Sequence, residues 1–140
     1  MSERNNNERN LLRKFLKQYS AAVLERERLE NQKKTIESDY FSVECDIVGV
    51  SMIASDVQKQ IDEQIRYNAN LLVQIKDVLN YLPENSIQRK ILDALYVDGM
   101  NWIKIERHFN YSSASVKRYA AEGLDKLLEY ERVRELIRNT

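Results

Sequence analysis

From Val57 to Leu82 the residues Val57, Ile61, Gln64, Asn68, Leu71, Ile75, Val78 and Leu82 step by four and three without a slip, and neither glycine nor proline interrupts them. That period marks one seam of an α-helix and does not fit a strand, whose faces alternate every two residues. Ile65, Leu72 and Leu79 add a second stripe, so the apolar face is wider than a two-stranded coil needs and suits a bundle. Gln64 and Asn68 interrupt the apolar run; polar residues in a seam cost stability but specify register and partner number. A helical pair folded on itself leaves apolar surface uncovered. The seam from Val57 to Val78 is therefore the candidate surface for a homodimer or higher homo-oligomer.

A second periodic stretch lies upstream. Leu12, Leu16, Tyr19 and Val23 step by four and three, and Phe15, Ala22, Leu29 and Ile36 widen the stripe, which predicts a helix over about 10–37. With three glycines and one proline in 140 residues, the composition is that of an all-α chain. Residues 1–10, polar and Asn-rich, are expected to be disordered, and residues 11–81 to form a helical oligomerisation region of two long helices. Between those helices, residues 38–54 lose the period. Phe41, Val43, Cys45 and Ile47 alternate with polar residues as in a strand, but no second strand is evident, so an apolar connector is expected. Ser55 or Asp56 would cap the second helix. Arg4, Arg9, Arg13, Lys14 and Lys17 make the N-terminal end basic, which fits a solvated helix face or nonspecific phosphate contacts.

Pro83 ends the long helix and would start another over Glu84–Val97, with Ile87, Ile91, Leu92, Leu95 and Tyr96 turned inward. Asp98-Gly99 is a turn signal, and Asn101 stands where a helix N-cap is needed. Trp102, Ile105 and Phe109 then share one face, and Asn110 tolerates the left-handed conformation that closes a helix. Tyr111 would be buried in the turn and Ser112 would cap the next helix. Its inward face reads Val116, Ala120, Gly123, Leu124 and Leu127, leaving Ser113, Ala114, Lys117, Arg118 and Ala121 outward. Small residues flanking two cations suit a helix that lies close to a nucleic-acid duplex, because Lys and Arg reach phosphates or guanine while the small side chains admit the groove edge. After residues 82–130, the tail 131–140 keeps helical spacing in Val133, Leu136 and Ile137.

Leu82-Pro83-Glu84, Tyr96-Val97-Asp98-Gly99, the Trp102, Ile105, Phe109 series and Tyr111-Ser112 followed by Val116-Lys117 resemble the promoter-binding C-terminal domain, region 4, of bacterial sigma factors. The whole chain, with long helices ahead of that domain, is similar to the RinA/ArpU-type late-transcription activators of phages from Gram-positive hosts. The specific part covers residues 82–128, and elsewhere the likeness is one of architecture. The resemblance implies a sigma-region-4-like helix-turn-helix that binds double-stranded promoter DNA through its major groove, and a helical region that dimerises and touches host RNA polymerase. Ser113, Ala114, Lys117 and Arg118 would make base-edge and adjacent contacts, with Ser115 beside them on the same helix. Lys104, Arg107 and Ser112 would hold phosphates. Trp102 would either brace the DNA backbone or pack beneath the turn. Two positions depart from the sigma pattern: Glu106 stands where a small residue is usual, and Glu122 and Asp125 stand where cations are usual. Glu106 would loosen the helix crossing or turn outward to pair with Lys117 or Arg118.

Other classes find less support. Formal net charge is zero, and residues 83–130 are evenly balanced, so a DNA reading rests on where the charges sit. His108 is the sole histidine and Cys45 the sole cysteine, which offers no catalytic triad, disulfide or four-ligand zinc site. Ser112, Ser113 and Ser115 are explained by capping and turn chemistry, and there is no Gly-rich phosphate loop. No enzyme activity, metal or cofactor is expected. The most apolar stretch, residues 41–54, is too short to span a bilayer and carries Glu44 and Asp46, and no signal-peptide core is present, so a cytoplasmic location without membrane association is expected. Two alternatives stay open: a phage small terminase subunit that binds packaging-site DNA, and a sigma-like module that binds a protein partner without DNA.

Overall fold

In the computed structural model every described element is helical. Backbone is described for residues 2–41 and 48–139, and side chains for 6–36 and 55–139. The helices are α1 (Ser2–Phe41), α2 (Val48–Leu79), α3 (Ile87–Leu92), which widens into π-helical turns over Asp93–Val97, α4 (Trp102–Phe109), α5 (Ser113–Leu128) and α6 (Glu131–Arg138). They fall into two compact units: residues 21–73, the hairpin unit, and residues 1–20 with 74–140, the terminal unit.

In the hairpin unit, Leu29 and Ile36 of α1 and Ile61 of α2 form a buried cluster flanked by Val57 and Ile65. Lys33 of α1 reaches Asp62 of α2 at 2.9 Å along the same junction. The α2 seam is thus occupied within the chain at Ile61. Asn68 is also buried, 7% exposed, and its Oδ1 has no hydrogen-bond partner among the described residues, while Gln64 is exposed. Both long helices extend beyond their expected ends. α1 runs to Phe41 and α2 starts at Val48, so Ser55 and Asp56 lie inside α2 rather than capping it. A capping residue starts a helix only where the preceding residues leave helical geometry, and residues 48–54 do not. The connector expected over 38–54 is therefore helical at both ends; its middle, residues 42–47 with Cys45, lies outside the described residues.

The terminal unit packs Leu12, Phe15 and Leu16 of α1, Ile75, Val78 and Leu79 of α2, Ile91 and Leu92 of α3, and the inward faces of α4, α5 and α6 into one core. α1 starts at Ser2, where disorder was expected. Long-range pairs meet this stretch: Arg9 donates to both carboxylate oxygens of Asp125 at 2.6 and 2.5 Å, and Arg138 reaches Glu8 at 3.4 Å. Those pairs give a polar segment a reason to stay helical that its composition does not contain.

Pro83 does not open a helix. Its carbonyl accepts from the amide and hydroxyl of Ser86, and Ser86 Oγ in turn accepts from the Arg89 amide, so the cap moves to Ser86 and the helix begins at Ile87. Arg89 then secures the corner. Its guanidinium donates to the carbonyls of Leu79 and Leu82 at 2.9 and 3.4 Å, to Asn80 Oδ1 at 2.9 Å and to Asp93 at 3.0 Å. Carbonyls at a helix C-terminus lack intrahelical partners, and a cation there also meets the negative end of the helix dipole.

Replacing Arg89 with Met should lower unfolding free energy by roughly 2–3 kcal/mol, since charged hydrogen bonds of this kind contribute about 1.5–3 kcal/mol. Urea denaturation followed by circular dichroism would check it, and an unchanged midpoint would refute the corner's importance. Asn68→Leu should act the other way, raising stability by about 1 kcal/mol because it removes an unsatisfied buried acceptor; a lower midpoint would mean that the amide has a partner in solution.

Candidate nucleic-acid interface

The stretch from Asp98 to Leu128 builds its ends from local chemistry. Gly99 takes a left-handed conformation, φ 69°, that turns the chain out of the π-helical end of α3. Asn101 Oδ1 accepts from the Lys104 amide at 2.8 Å and caps α4. Asn110 closes α4 in the left-handed region, φ 58° and ψ 44°. Ser112 Oγ accepts from the Ser115 amide at 3.2 Å and caps α5. A three-residue turn, Asn110 to Ser112, therefore joins two capped helices.

Burial sets the rotation of α5. Val116, Ala120, Gly123, Leu124, Leu127 and Leu128 are buried. At Gly123 the helix approaches α3 so closely that an added Cβ would lie 2.8 Å from Leu92 Cδ1 and 3.2 Å from Gln88 Cβ. With that side held, Ser113, Ala114, Lys117 and Arg118 are exposed, and Ala121 and Ser115 are half-buried. On α4, Lys104 and Arg107 are exposed one turn apart, Ile105 is fully buried, and Trp102 and Phe109 are half-buried. Glu106 is half-buried and, among the described residues, pairs with neither Lys117 nor Arg118. Tyr111 departs from its expected place in the core: it is 40% exposed and packs edge-on against Tyr119, ring centroids 5.5 Å apart. A tyrosine in a three-residue turn has little interior to enter, and the Tyr119 ring offers it a surface instead.

The two acids of α5 are both engaged. Arg9 holds Asp125, and that hydrogen bond, with the carboxylate's charge, raises the Arg9 pKa against the opposing effect of desolvation. Glu122 accepts from Gln88 Nε2 at 3.1 Å and lies 3.9 Å from Arg118, whose guanidinium also stacks over the Tyr119 ring at 5.1 Å. Lys104, Arg107 and Lys117 form no ion pair among the described residues.

Beside α5 lies a cleft of about 630 Å³. Its apolar lining includes Leu95 and Leu124, Tyr96 and Trp102 line it with their rings, and Arg13, Lys17 and Lys117 supply its charges. Burial raises the Tyr96 phenol pKa, and the Arg13 charge opposes that rise. Arg13 and Lys17 were legible in the sequence only as part of a basic N-terminal run. Their spacing of four puts them on one helix face, but nothing local says that this face meets α5. Ile103, 61% exposed beside Lys104, is a second residue of this surface that periodicity passes over.

His108 is exposed and edge-on to Phe109, ring centroids 4.9 Å apart. Among the described residues no group of three His, Cys, Asp or Glu is placed to hold a metal, and no helix is long and apolar enough to cross a membrane. Comparison of the chain with protein families, with curated proteins and with solved structures finds no match.

The close approach at Gly123 yields a test of α5's seating. Gly123→Val should destabilise the protein by about 1–3 kcal/mol, the usual cost of overpacking, even though it removes a helix-interior glycine worth less than about 1 kcal/mol. A thermal midpoint equal to or above that of the wild type would show that α3 and α5 are free to separate.

Proposed function

We propose that this protein is a sequence-specific, double-stranded DNA-binding transcription regulator, a phage or prophage late-gene activator, in which α4 and α5 form a helix-turn-helix of the sigma-region-4 kind. The observation that carries the reading is the exposed first half of α5. Ser113, Ala114, Lys117 and Arg118 stand clear of the core at the start of a helix capped by Ser112, which is where a recognition helix meets base edges. Lys104 and Arg107 of α4, exposed and unpaired among the described residues, suit phosphate contacts that set register. The acids that would repel DNA, Glu122 and Asp125, are engaged by Arg118 and Arg9, which answers the objection raised by a neutral chain.

Self-association is part of this reading: the seam residues Ile61, Ile75 and Val78 are buried within the chain, which leaves other apolar side chains of the hairpin unit to meet a second copy. Leu24, Tyr67 and Val73 are exposed apolar side chains on α1 and α2. Paired copies would present paired recognition helices to two half-sites. Exposed Ile103 and Tyr111 favour contact of α4 and its turn with a protein, in keeping with an activator that touches RNA polymerase.

The test is electrophoretic mobility of labelled fragments from the gene's genomic neighbourhood, at two salt concentrations. Retention of a promoter fragment is expected. Retention of a packaging-region fragment would favour a small terminase subunit, and retention of none would favour a protein-binding module. Lys117→Ala/Arg118→Ala should weaken specific binding by roughly 30- to 20,000-fold, on the basis of about 1–3 kcal/mol for each of the two base contacts, while leaving helicity intact. Unaltered binding by this variant would remove α5 as the recognition helix.

A further inference from the structure

α1 meets α5 through one ion pair and a shared cleft. Arg9, Arg13, Lys17 and Ser20 step by four and three, so they share a helix face. Arg9 meets Asp125 near the end of α5, while Arg13, Lys17 and Ser20 line the same cleft as Ala121 and Lys117, one and two turns earlier in α5. The helices therefore run antiparallel here. Asp125 gives the first cation of the row an acidic partner; Ala121 and Lys117 give the next two none. The result is a local excess of positive charge in a chain whose totals balance at 22 cations and 22 anions. Among the described residues, no carboxylate lines the cleft, Arg13 donates only to the neutral amide of Asn10, and Lys17 and Lys117 have no ion-pair partner. Bringing Lys17 and Lys117 to one cleft with apolar walls costs free energy through like-charge repulsion, which water screens poorly beside a low-dielectric surface. An anion between them turns that cost into attraction.

We propose that this cleft is a phosphate seat, in which Arg13 and Lys17 of α1, with Lys117 of α5, hold a backbone phosphate of the duplex bound along α5. The proposal rests on the DNA reading and adds a second element to it: the N-terminal helix is part of the DNA-binding surface. Three features select phosphate chemistry. Arg13 offers a planar fork of donors, the two lysines offer point charges, and the Ser20 hydroxyl is a further donor of the kind that contacts DNA backbones. Continuity selects the duplex as the source, because Lys117 belongs both to the cleft and to the exposed face of α5. A strand flanking the groove entered by α5 would pass over it.

The experiment compares the salt dependence of binding to the retained DNA fragment for three proteins: wild type, Arg13→Ala/Lys17→Ala, and Lys34→Ala/Lys59→Ala, which removes equal charge from the hairpin unit. Each lost phosphate contact should make the plot of log affinity against log salt shallower by about 0.9, so the cleft variant, which loses the one seated phosphate, should lose about 0.9 from the slope and the control nothing. The charge-keeping variant Arg13→Lys/Lys17→Arg should retain the wild-type slope, which a purely structural role for these side chains would not predict. Equal slopes for wild type and the cleft variant, with DNA still bound, would overturn the phosphate seat and leave the DNA reading standing. Failure of the wild type to bind any fragment would overturn both. Inorganic phosphate at constant ionic strength serves as the remaining arm. If it raises the thermal midpoint of wild type but not of the cleft variant while the DNA slopes stay equal, the seat serves a soluble phosphate and the duplex assignment is wrong.

Discussion

The close approach of α5 to α3 at Gly123 governs what the terminal unit can present to the outside. A helix has one rotation that buries a given stripe, and where the neighbouring helix lies within reach of a single missing Cβ, that rotation is held narrowly. Lys117 and Arg118 are exposed because Gly123 and Ala120 are not. α3 is itself held from the other side, since Arg89 ties its first turns to the carbonyls ending α2. A chain of constraints thus runs from the last turn of a long helix to the side chains at the start of α5, and each link is short-range.

Charge in this protein is arranged more than it is accumulated. Arg26 with Glu30 and Arg28 with Glu25 are exposed intrahelical pairs of small energetic value. The pairs that cross between elements do more: Arg9 with Asp125 and Arg138 with Glu8 bring the first turns of α1 to α5 and α6. The same pairing neutralises an acid on α5 and leaves unmatched cations further along the row. A neutral total is therefore compatible with a locally positive surface, which a sum over the sequence cannot reveal.

The parts of the fold that depend on neighbours in sequence were legible. Asn101 and Ser112 occupy their expected cap positions because N-capping is a contest between a side chain and amides two or three residues away, and Asn110 closes α4 because it tolerates the left-handed backbone. The inward face of α5 followed from its period. Where the competition was local but had two contenders, at Pro83 and Ser86, proline's preference for a first helical turn lost to a serine that could accept from the Arg89 amide. What stayed illegible was set by distant partners. The helical residues before Leu11 meet Asp125 and Arg138 through Arg9 and Glu8, the seam at Ile61 is covered by α1 of the same chain, and Arg13 and Lys17 share a cleft with Lys117 only through the path of α1.

That path makes the terminal unit discontinuous, with residues 1–20 completed by residues 74–140 and the hairpin unit, residues 21–73, lying between them in the chain. During synthesis the parts become available in a fixed sequence. The hairpin unit has all its partners once residue 73 has emerged, whereas Leu12, Phe15 and Leu16 belong to a unit that is complete only when residues 74–140 have been made. The buried side of Leu12, Phe15 and Leu16 therefore stays open while the hairpin unit is made, and the late step that completes the terminal unit joins Arg9 to Asp125 and Glu8 to Arg138.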